Sequence, residues 1–149
     1  MFILRHGIIV LLRRDTMINK IRGMKLKTAM NLGIVFYTVA IIVSILIMLG
    51  VIPYTWVNGG RSESFDAQLE LTKINIIILA IGFIFNLVAG KLIPFKFKKV
   101  ITVLCWFLFA YWCLSFIMQL IGTPFERFVI SWTILIGVVA NYRLAIEKR

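Results

Sequence analysis

The residues best spaced for chemistry are three carboxylates and an arginine. In "RSESFDAQLELTK", Glu63, Asp66 and Glu70 are separated by three and four residues, with Arg61 just before them and Lys73 three residues beyond. On a helix those acids share one face. Paired carboxylates can exchange protons with a substrate or hold a cation, and an enzyme built here would use Arg61 beside them. No histidine or cysteine lies nearby in sequence. The expectation is therefore a solvated helical face, capped by Ser64 and running without a break into an apolar span.

Neutral polar residues form a second pattern. Asn75, Gly82, Asn86 and Gly90 recur at steps of seven, four and four, and Thr133, Gly137 and Asn141 at steps of four. Each set lies on one helical stripe. Small residues let helices approach closely in lipid, and asparagine can hydrogen-bond across the contact. The stripes predict packing seams, within a bundle or at a dimer interface; a sharper alternative makes Asn86 and Asn141 ligands in a polar cavity. The stretch "CWFLFAYWCLSFIMQL" crowds Trp106, Phe107, Phe109, Tyr111, Trp112 and Phe116 onto one helix. A buried Tyr111 hydroxyl or Trp112 N–H needs a partner, which Ser115, Gln119 or an asparagine of a neighbouring span could supply. Such a row either packs a core or lines a site for a flat or lipid-like ligand.

Other chemistry lacks its residues. The sequence has no CxxC, HExxH, Ser-His pair, P-loop or cluster of metal ligands. Cys105 and Cys113 stand about 12 Å apart along a helix axis, too far for a disulfide between them, and read as small packing residues. No ionisable residue occupies the middle of an apolar run, which weighs against a proton-coupled pump. A small multidrug transporter would need a glutamate in its first span, and none is there. The expectation is a protein without enzymatic activity, metal or cofactor.

The elements that must position these residues follow from composition. Of 149 residues, 61% are hydrophobic and 15% charged, where soluble domains carry about 25% charge. Four apolar runs, 31–52, 74–93, 100–121 and 128–146, each reach the roughly 20 residues that cross a bilayer. Pro53, Pro94 and Pro124 fall between them, with Pro53 expected to end the first span. The fold predicted is all-α, an integral membrane four-helix transmembrane bundle, preceded by a basic segment, 1–30, and followed by a tail, 147–149.

Charge sets the direction. Arg5, Arg13, Arg14, Lys20, Arg22, Lys25, Lys27, Lys91, Lys96, Lys98, Lys99, Arg143, Lys148 and Arg149 fall on one side of the four spans; only Arg61, Lys73 and Arg127 fall on the other. The positive-inside rule then places both termini in the cytoplasm, N-in and C-in. The net charge of +11 reads as attraction to anionic inner-leaflet lipids rather than to nucleic acid, since no nucleic-acid-binding motif is present.

"IPYTWVNGGR" lies where the first span leaves the membrane. Tyr54 and Trp56 suit the headgroup layer, and Asn58-Gly59-Gly60 tolerates the positive φ of a reversal. Trp56, Asn58 and Arg61 are also candidates for a contact surface. At the other end, "MFILRHGIIVLLRRDT" has an apolar stretch, Gly7–Leu12, too short to span. If translated, it suits a helix lying on the inner leaflet. Met17 and Met24 are alternative starts, and "MKLKTAM" is an ordinary lead-in to a first span. His6 is expected to be inert.

"IPYTWVNGGR", read with the terminal "TPFERFV…YRLAIEK", resembles a set of small four-span bacterial membrane proteins without an assigned function. The resemblance covers most of the chain from the first span onward. It implies a bacterial cytoplasmic membrane protein that starts near Met24, and it carries over no catalytic or binding residue. Uncharged span interiors, Gly/Asn seams and small loops lead to an accessory protein that packs against a larger membrane complex or itself. The alternative is a small oligomeric carrier or lipid-handling protein with an aromatic-lined cavity.

Overall fold

A computed structural model of the chain describes residues 18–148. The readings made for His6 and Gly7–Leu12 lie outside these residues. Within them the chain is helical and has no strand: α1 is Leu26–Met48, α2 Phe65–Ala89, α3 Lys98–Leu120 and α4 Ser131–Ala145. A π-helical turn, Glu126–Ile130, leads directly into α4. Four helices, the last counted as Glu126–Ala145, are long and apolar enough to cross a membrane.

The span ends differ from expectation for local reasons. Gly50, not Pro53, terminates α1. Its φ of 71° takes the left-handed position after the helix, and the N–H groups of Val51 and Ile52 fold back onto the Leu46 carbonyl. At the start of α2, Ser64 caps as expected, its Oγ accepting from Ala67 N at 3.2 Å. The helix therefore begins at Phe65, which leaves Glu63 outside it. It ends at Ala89 rather than 93, with Lys91 itself in the left-handed region at φ 65° and Leu92 N–H returning to the Leu87 carbonyl. Gly90 serves instead as a point of close packing, where a Cβ would stand 2.4 Å from the Met30 side chain.

The helices are arranged in space as α2–α1–α4–α3. α1 packs closely on α2 and α4, and α4 on α3, while α2 and α3 diverge. Helices this apolar all round are sorted less by hydrophobicity than by shape complementarity and small residues, which decide which faces meet. Both predicted stripes supply it, and both face α1. A Cβ at Gly82 would stand 2.6 Å from the Tyr37 ring, and one at Gly137 would stand 2.8 Å from that of Phe36. Asn86 donates to the Met30 carbonyl at 2.9 Å, its Oδ1 crowded against Gly33. The seams are thus filled within one chain.

At mid-height, rings close the bundle. Phe36 and Trp112 meet edge-on at 4.7 Å, and Trp112 Nε1 donates to the Tyr37 hydroxyl at 3.3 Å. The partner that Trp112 needed is on α1, not Ser115, Gln119 or an asparagine. Cys105 packs in a second cluster with Ala29, Ala89, Ile101, Leu144 and Ala145, nearer the end where α1 begins and α4 ends. The outward faces carry exposed Ile74, Ile77, Ile81 and Ile84 on α2, and Val103, Phe107, Leu114 and Ile117 on α3. Apolar faces this continuous suit contact with lipid or with another protein.

Candidate functional site

The end of the bundle where α1 stops and α4 starts is organised by one buried acid. Glu126 is 2% exposed. Its Oε2 accepts from Thr123 N at 2.8 Å and from Gly59 N at 3.0 Å, and its Oε1 lies 3.2 Å from Gly59 N. Thr123 Oγ1 accepts from Glu126 N at 3.3 Å, so Thr-Pro-Phe-Glu is a reciprocal capping box with proline at the first helical position. The Thr123 hydroxyl also donates to the Trp56 carbonyl, and Trp56 stacks at 5.8 Å on Phe125. Two loops distant in sequence are thereby joined.

This explains "IPYTWVNGGR". Asn58, Gly59 and Gly60 all take positive φ (54°, 66° and 67°), as the reversal required. The turn aims Gly59 N–H inward at the carboxylate. The π-helical turn helps from the other side: Ser131 Oγ donates to the Glu126 carbonyl at 3.1 Å, and Arg127 Nε turns outward to the Leu120 carbonyl at the end of α3. Sequence reading passed over Glu126 as part of a short loop. The T-x-x-E pattern with its proline was the available signal.

Beneath this clamp lies a cleft of about 430 Å³. All four helices line it, and it opens between the diverging α2 and α3. Tyr111 and Trp112 lie on its floor with Phe36, and Val57, Asn58, Gln68 and Glu126 lie toward the clamp. The walls carry Ser44, Thr72, Asn75, Ser115, Gln119 and Thr133 among aliphatic residues. Many of these groups are engaged already. Asn75 donates to Ser44 Oγ at 3.2 Å, Ser62 to Gln68 Oε1 at 2.5 Å, and Gln68 Nε2 to Thr72 Oγ1 at 3.1 Å. Gln119 Oε1 is buried and has no hydrogen-bond partner among the described residues, a state it shares with Asn86 Oδ1 outside the cleft. An acceptor left so is costly unless something donates to it.

The predicted site residues therefore separate. Asn75, Tyr111, Trp112, Gln119 and Asn58 line the cleft, while Gly82, Asn86, Gly90 and Gly137 pack against α1. Asn86 and Asn141, each 1% exposed, lie outside the cleft lining, and Asn141 donates to the Gly137 carbonyl at 2.8 Å. Both are packed between helices, away from the cleft. Arg61, Glu63, Asp66 and Glu70 are exposed, and Glu70 pairs with Lys73 at 2.6 Å. That solvated face does not converge with Arg61 on a pocket. Trp56 is half exposed beside the clamp.

At the other end Glu147 bridges Lys91 at 3.0 Å and Arg143 at 2.8 Å, and Arg143 Nε donates to the Met24 carbonyl at 2.7 Å. Burial alone would raise the Glu147 carboxyl. The hydrogen bonds and charges of Lys91 and Arg143 outweigh burial and hold it below the ordinary value. No family model, curated protein or solved structure matches this chain.

Proposed function

We propose that the protein is a non-enzymatic membrane protein that holds one neutral or cationic, hydrogen-bond-donating amphiphile, its head in the cleft and its chain passing out between α2 and α3. The observation that carries this reading is the unpartnered Gln119 Oε1 in a cleft of ligand size. The lining favours a donor, since it contains the carboxylate of Glu126 and no cationic side chain. The aromatic floor blocks passage through the bundle, so the molecule is held from one side. Both termini lie in the cytoplasm under this reading, the cleft opening toward the outer leaflet. The Gly/Asn seams lend no weight to an accessory role, because α1 occupies them within the chain.

The test is native mass spectrometry of the protein extracted gently from its own membrane, beside Ser115→Phe and Gln119→Leu variants. The expected result is one retained hydroxyl- or amine-bearing amphiphile per chain, its occupancy falling at least about tenfold in both variants. A stoichiometric protein partner with no retained amphiphile overturns the proposal in favour of the accessory reading. Topology is checked separately with Ser62→Cys and Lys96→Cys. A membrane-impermeant maleimide should label the first in intact cells and the second only after permeabilisation, and the reverse pattern would invert the orientation.

A further inference from the structure

A second site lies at the basic end and does not rest on the cleft. On that side of the aromatic closure, α2 and α3 flank an apolar groove of about 270 Å³ with no polar lining. Ile84, Phe85 and Val88 form one wall, Val100, Ile101 and Leu104 the other, and Phe95 of the connecting loop lies at its end. Beside that end stand Lys96, Lys98 and Lys99, all exposed. None makes an ion pair among the described residues, because Glu147, the acid near this end, is held by Lys91 and Arg143. Nor does α3 satisfy them: Phe97 offers no capping side chain, and the first turn of α3 contains no acid.

An apolar slot with unpaired cations at its mouth matches one chemistry, an acyl chain joined to a phosphate. We infer that this groove seats one chain of an anionic glycerophospholipid, its phosphate at Lys96, Lys98 and Lys99. The charges select the headgroup, and the groove distinguishes a seated molecule from a diffuse layer of counter-lipids. Basic pockets between spans are a recurrent means of such selection. The seat's lack of polar lining separates it from the cleft, whose lining has no cation.

The test uses the full chain in neutral detergent, titrated with dioleoyl phosphatidylglycerol or dioleoyl phosphatidylcholine, with bound lipid counted by native mass spectrometry. The phosphatidylglycerol should bind about tenfold tighter, a preference abolished in K96Q/K98Q/K99Q. Val100→Trp fills the groove and keeps every lysine, and should weaken phosphatidylglycerol binding several-fold. Val103→Trp adds the same bulk to an exposed α3 position outside the groove and should change nothing. Combining the charge and groove changes should cost less than the two separate losses together, as for groups gripping one molecule. Equal binding of both lipids overturns the inference. So does a preference unaffected by Val100→Trp, which would mean surface charge alone.

Discussion

At the scale of single residues, Glu126 governs one end of the molecule. Its carboxylate satisfies two backbone N–H groups that would otherwise lie orphaned, one in each of two loops. Glu126→Gln keeps the shape but exchanges one accepting oxygen for a donor facing N–H groups. It should cost about 1–3 kcal/mol, read as a lowered unfolding midpoint together with faster proteolysis after Arg61. An unchanged midpoint would mean that the two loops hold together without it. The sequence made the chemical type of this residue plain but not its importance, because the partner N–H of Gly59 is 67 residues away. Asn58-Gly59-Gly60 was legible as a reversal, since the need for positive φ is local. Gln119 was legible as a packing or cavity residue and as a possible partner for Tyr111 or Trp112; for Trp112, Tyr37 takes that part.

At the scale of elements, the four spans and their polar stripes could be read directly, because periodicity and length are properties of contiguous chain. Which face meets which helix could not. Gly82 and Gly137 looked equally suited to a dimer contact, and the rings of Tyr37 and Phe36 decide otherwise. Helix ends were misread where a single residue governed them, as at Gly50, and the π-helical turn left no periodic trace. Gly82→Ala should therefore act on the monomer. Its added methyl meets the Tyr37 ring and costs about 1–3 kcal/mol, seen as a lowered midpoint with unchanged mass in a sizing experiment. A change of assembly state at unaltered stability would restore the seam to an interface between chains.

At the scale of the whole molecule, opposite ends are tied in opposite ways: Glu126 by backbone donors, Glu147 by two cations and, through Arg143, the Met24 carbonyl. Folding lowers the Glu147 pKa from its ordinary 4.5. Its contribution is then complete above the unfolded value and disappears as pH falls through the lower folded one. Wild type should be more stable than Glu147→Gln near neutrality; the gap should begin to close as pH falls below about 4.5, and the two melting curves should meet once pH lies under the lower folded value. A gap that persists there would assign the effect to something other than this charge. The spatial order α2–α1–α4–α3 also has a mechanical consequence. The two walls of the cleft touch each other little: α2 is held chiefly by α1 and α3 by α4, with Trp112 of α3 reaching Phe36 and Tyr37 on α1 at mid-height. The molecule is built like a book with a clasp: the α1–α4 spine carries the covers, and the bond from Trp112 to Tyr37 ties one cover back to it, so the open edge can part only as far as that bond gives.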